Sequence, residues 1–131
     1  MVYSIDCIVL AWDTVEVATE ILVTGEFETW WDGLSLAEQK SVAVVVTMLE
    51  ERGVTLPFPY SSGITMSAKL RELRIQHAGQ PYRVLYAFDP KRNAILLLGG
   101  NKARDDRWYD RHVPRAEKLF AAYLQEKGQS D

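Results

Sequence analysis

The order of apolar and polar positions divides this chain into helices early, strands in the middle and one helix last, which predicts an α+β fold. The stretch LSLAEQKSVAVVVTMLEERG places Ser35 three residues before Glu38, the spacing of a capping box, and stops at Gly53, a usual helix end. A helix over about 36–52 follows, because its length and both end signals outweigh the weak helix propensity of Val42, Val44, Val45 and Val46. Ahead of it GEFETWWDG reads as a short helix and ATEILVT as an edge strand, while residues 1–20 carry no readable period. PFPYSSGITMSA, at 57–68, has two prolines, a glycine and four Ser/Thr residues and reads as a loop.

Three strand-like runs come next, KLRELRIQ, YRVLYAF and AILLLGG, joined by HAGQP and DPKRN, whose residues suit tight antiparallel turns. They predict a three-stranded meander. The second and third runs are apolar on both faces, so they belong in the centre of a small antiparallel sheet, covered on one side by helices and partly shielded on the other. VPRAEKLFAAYLQEKG closes the chain as a helix, with Pro114 near its first position and Ala116, Leu119, Phe120, Tyr123 and Leu124 at amphipathic spacing. The architecture expected is that sheet packed against two N-terminal helices and one C-terminal helix.

With 131 residues, 47% of them hydrophobic, the chain can build one core and not two. Residues 1–131 therefore read as a single domain, with 1–24 as an N-terminal extension or edge strand. Cys7 has no partner for an internal disulfide, and His77 and His112 are the only histidines, so no Cys/His cluster offers a metal site and no cofactor is implied. The apolar run CIVLAW spans six residues between acidic flanks, unlike a signal peptide or a membrane span. These features point to the cytoplasm.

The net charge of −3 hides an asymmetry. Residues 1–68 carry two basic and ten acidic groups, whereas residues 69–115 carry eleven basic and five acidic ones. A basic segment on an acidic scaffold suits a polyanion on one face, and it also fits solvated charges that fall unevenly. With Ala78-Gly79 as a two-residue turn, His77 stands opposite Gln80 and Arg74 opposite Arg83, while a three-residue turn would shift that register. Facing cations destabilise a strand pair, so the pair reads either as an anion site or as a salt-bridge ladder neutralised by Glu72 on the same face. Lys102 and Arg104 leave the third strand beyond Gly99-Gly100, which allow close approach, and Arg107, Tyr109, Arg111 and His112 continue toward the last helix. Lys102 beside the arginine pair would give three fixed cations for a phosphate under attack. Asp105, Asp106, Asp110 and His112 lack a spaced partner cluster, which rejects a metal reading.

LRELRIQHAGQPYRVLYAFDP, AILLLGGNK and RWYDRHVPRAEKLFAAYL, taken in order, resemble the HigB branch of the RelE/ParE toxin superfamily, including phage-derived Gp49-like proteins, over about residues 25–126. The resemblance implies a RelE-like, microbial-RNase-like fold. It also implies a type II toxin–antitoxin toxin: a metal-independent endoribonuclease (mRNA interferase) that cleaves messenger RNA on the ribosome and inhibits translation. A helix-turn-helix antitoxin of the HigA kind would silence it. Carried over by position, the catalytic cations fall on Arg74, Arg83 and Lys102, proton transfer falls on Tyr109 or His112 with Tyr86 and His77 as weaker candidates, and RNA contacts fall on Arg71, Arg104, Arg107 and Tyr86. The rival implications are a ParE-like toxin that binds and inhibits DNA gyrase, and an inactive member that only binds its antitoxin.

Overall fold

Ser35 and Glu38 cap a helix reciprocally: Ser35 Oγ accepts from the Glu38 N–H at 3.1 Å and Glu38 Oε1 accepts from the Ser35 N–H at 2.7 Å. In the computed structural model, which describes residues 18–128 and the backbone of 2–5, this helix spans Leu36–Arg52. Cys7 and the CIVLAW run lie outside the described residues. The elements in order are β1 (Val2–Ile5), β2 (Ile21–Thr24), α1 (Gly25–Asp32), α2 (Leu36–Arg52), a 3₁₀ turn at Gly53–Thr55, β3 (Ser61–Ile64), β4 (Ser67–His77), β5 (Gln80–Phe88), β6 (Ala94–Asn101) and α3 (Trp108–Glu126). No described helix is long and apolar enough to cross a membrane.

The described strands form one sheet in the order β1-β2-β6-β5-β4-β3. The meander β4-β5-β6 is antiparallel throughout, as its tight turns require. Three features depart from expectation. ATEILVT holds β2, but β1 pairs on its outer side, so β2 is interior. It runs parallel to β6, which makes the sheet mixed; the long connection between them carries both helices and then β3, β4 and β5, ample chain for the crossover that parallel neighbours need. The stretch 57–68, expected as a loop, contains β3 and the first residues of β4, and its Ser-rich composition masks a short hairpin.

Both faces of the sheet are covered, not one. In α2 the residues Val42, Val45, Val46 and Leu49 follow the i, i+3, i+4, i+7 rhythm and are buried against Leu73, Ile75, Tyr82, Val84 and Tyr86, together with Phe27 of α1. Burial on that face overrides the poor propensity of the valines, and truncating fully buried Leu49 to alanine would cost about 2–5 kcal/mol. The opposite face packs Leu70, Leu85, Ala87, Ile95 and Leu97 against Trp108, Val113, Ala116, Phe120, Tyr123 and Leu124 of α3. That helix begins at Trp108, so Pro114 lies inside it instead of opening it. Pro114 and Asp110, whose carbonyl loses the usual i+4 donor there, are both exposed, so water can serve that carbonyl.

Candidate functional site

Ala78 and Gly79 have φ of 50° and 75°, the left-handed pair that a two-residue hairpin turn demands. The turn sets His77 opposite Gln80 and Arg74 opposite Arg83, the expected register. Strand alternation puts Glu72, Arg74 and Arg83 on the α3 face with Leu70 and Leu85, which pack in the α3 cluster. Glu72 is 5% exposed and Arg83 is 4% exposed. Charges so buried require partners.

Glu72 is the hub. Its Oε2 lies 3.2 Å from Arg74 Nη1 and accepts from Ser62 Oγ at 2.8 Å. Its Oε1 lies 3.4 Å from Arg83 Nε and accepts from the Tyr109 hydroxyl at 2.5 Å. The opposed arginines are thus tied through one carboxylate, and the salt-bridge ladder is present. One carboxylate against two guanidiniums still leaves a net positive charge. Arg83 donates from Nη1 to the Tyr82 carbonyl at 3.0 Å, but its Nε–H has no hydrogen-bond partner among the described residues, because the 3.4 Å ion pair lacks hydrogen-bond geometry. Arg74, with a side chain 32% exposed, lies with its Cζ 5.2 Å from the centre of the Phe58 ring.

Lys102 reaches the same face through an irregularity. Register shifts between Leu85 and Tyr86, so that Leu97 and Leu98 both pack against α3, and the alternation of β6 changes phase there. Gly100 then pairs with Arg83, and Lys102, two residues on, follows the arginine face; its Nζ stands 5.8 Å from the centre of the Tyr109 ring. Burial, and then the bond to Glu72, raise the Tyr109 pKa above that of an ordinary phenol. Tyr109 is therefore a neutral phenol at physiological pH, its hydroxyl donating to Glu72. Gly99 and Gly100 do allow close approach, but of indoles: a Cβ at Gly99 would lie 2.4 Å from Trp30, and one at Gly100 2.8 Å from Trp108 Nε1.

Arg74, Arg83, Lys102 and Tyr109 are accordingly brought together, and the other sequence candidates are not. Arg71 and Tyr86 lie on the α2 face, where Ser61 Oγ accepts from Arg71 Nε at 3.2 Å and bonds the Tyr86 hydroxyl at 2.6 Å. Tyr86 is 1% exposed and is a core residue. His77, also on that face, bonds Ser41 Oγ through Nδ1 at 2.7 Å. His112 stacks on Trp108 at 4.4 Å and bonds the Trp108 carbonyl through Nδ1 at 2.7 Å, which makes it a packing residue of α3. Arg104 and Arg107 are exposed in and after the loop that follows β6, where Asp105 pairs with Arg111. Missed in the sequence were Ser62, inside the supposed loop, and the bond joining Tyr109 to Glu72 across 37 positions, for which no local pattern exists.

A sheet with two N-terminal helices on one face and a C-terminal helix on the other is compatible with the RelE-like α+β fold that the sequence motifs implied. The chain belongs to the phage-derived Gp49-like family, whose pattern, described as "Phage derived protein Gp49-like", matches residues 29–121, and so to the HigB and Gp49-like branch. Among curated proteins of Mycobacterium tuberculosis it is similar to HigB3, whose name puts it forward as a toxin, at 36% identity over 105 residues, 79% of this chain and 92% of that protein. It is also similar to HigB2, named in the same way, at 37% identity over 99 residues, 72% of this chain and 49% of HigB2, so the match spans about half of that protein.

Proposed function

We propose that this chain is the toxin of a toxin–antitoxin pair and acts as a metal-independent endoribonuclease on messenger RNA at the ribosome. The observation that supports this reading is the gathering of Arg74, Arg83, Lys102 and Tyr109 around Glu72 on one sheet face. Cleavage of this kind has the RNA 2′-oxygen attack the adjacent phosphorus while the bond to the 5′ oxygen breaks, leaving a cyclic phosphate and a free 5′-hydroxyl. The arginine forks bind phosphate oxygens, and Lys102 meets the charge that builds up during attack. The proton of the 2′-hydroxyl passes to Glu72, and Tyr109 gives its own to the departing oxygen. The 2.5 Å bond then lets Tyr109 recover a proton from Glu72, so the cycle closes without a metal.

The direct test is expression of the chain alone and with the protein encoded beside it, followed by message mapping. Cleaved messages and halted translation, relieved by the neighbour, support the reading. Halted replication with DNA breaks and intact messages would replace it with gyrase inhibition.

A further inference from the structure

Strand β3 covers only part of β4. Ser61 pairs with Leu73, and Arg74 N–H still bonds the Tyr60 carbonyl at 2.9 Å, but the chain then turns away, with Tyr60 and Ser61 N–H both bonded to the Pro57 carbonyl at 3.1 Å. Alternation along β4 sends the N–H and C=O of Glu72, Arg74 and Gln76 to this outer side, so among the described residues no strand sits beside Gln76. A groove of about 490 Å³ wraps this open edge. Val44, Val45 and Ile75 line its α2 side, Arg74, Gln76 and Arg83 its other side. Val44 is 57% exposed, Tyr60 39% and Phe58 69%, an unusual display of large apolar side chains beside unpaired backbone.

We infer that this edge is the docking site for an extended, acidic segment of a separate polypeptide, which adds a strand beside Ile75–His77. The period of two fixes its pattern. Apolar side chains of the added strand meet Val44 and Val45, and its alternate carboxylates meet the face where two arginines share one glutamate, with Arg74 the more exposed of the two. The docking stands on this geometry alone, whereas its consequence, covering the arginine pair against RNA, rests on the nuclease reading.

The probe is a synthetic decapeptide of alternating valine and glutamate, titrated into the full chain and followed by amide NMR. Saturable shifts at Ile75 and Gln76 with protection of the Gln76 amide from exchange are expected. Gln76→Pro, which removes the edge donor, should weaken binding about tenfold, and so should lysine in place of the peptide's glutamates. If Gln76→Pro misfolds, Val44→Asp on the exposed α2 wall serves instead. Absence of shifts at millimolar peptide on a folded chain overturns the proposal, as does binding indifferent to these changes. Gln76 protection in a concentration-dependent dimer overturns it in favour of a second copy, and stronger protection by a short RNA overturns it in favour of nucleic acid. A chain that binds the peptide yet leaves messages intact upholds the docking and sinks the nuclease reading.

Discussion

Glu72→Gln removes one charge from the centre of the site and almost nothing of the side chain's shape. Arg83, its side chain 5% exposed, would lose its counter-charge, a change that costs about 3–5 kcal/mol when one partner of a buried pair is deleted. Glutamine keeps one acceptor oxygen for Tyr109 or Ser62, which brings the expected loss to about 2–4 kcal/mol. Arg74, with a side chain 32% exposed, adds no more than about 0.5 kcal/mol after solvent screening. For a chain of this size the sum corresponds to a fall in Tm of roughly 6–15 °C, read by calorimetry. Replacing chloride by phosphate should restore more stability to the variant than to the wild type, because an anion can then bridge the two guanidiniums. Adding Arg83→Met should recover part of the loss by removing the stranded charge. A Glu72→Gln protein that melts within about 1 °C of wild type, with no phosphate response, would show that Glu72 is not the counter-ion.

Alanine at Arg74, Arg83 or Lys102 should lower message cleavage on purified ribosomes about a hundredfold or more, near 3 kcal/mol, in chains folded by circular dichroism. Alanine at the exposed Lys91 or Arg92 should leave it near wild type. Arg83→Lys should also lose rate, since an ammonium has no planar fork, and wild-type cleavage by that variant would reduce Arg83 to a ladder member. Tyr109→Phe should lose cleavage while RNA binding, measured by filter retention, stays within a few-fold; unchanged cleavage would remove Tyr109 from the proton path. The Glu38 carboxyl is held below its ordinary value of 4.5, first by the Tyr82 hydroxyl and then by the Ser35 backbone N–H. Stability from that bond is present above the ordinary value and is lost as pH falls through the lowered one. Tyr82→Phe should therefore flatten the acid limb of Tm against pH, and an unaltered limb would contradict the assignment.

Local chemistry determined much of this protein. Ser35, Glu38 and Gly53 bounded α2, and Ala78-Gly79 set the hairpin register that puts Arg74 opposite Arg83, because caps and two-residue turns act over a few residues and leave a sequence pattern. The apolar runs placed β5 and β6 in the interior. What decided the rest were contacts between distant segments. The parallel pairing of β2 with β6 depends on how the two helices and the β3-β4-β5 strands between them pack, and the short β3 exists because β4 offers it a partner. The phase change at Leu97 and Leu98 turns Lys102 toward the arginines, where strict alternation would have pointed it to the other face. The position of α3 brings the Tyr109 hydroxyl to Glu72 and withholds His112, which stays stacked on Trp108. Sequence could name the charged residues of the site, but which of them meet depended on strand phase and helix placement, and both are set by the burial of side chains far apart in the chain.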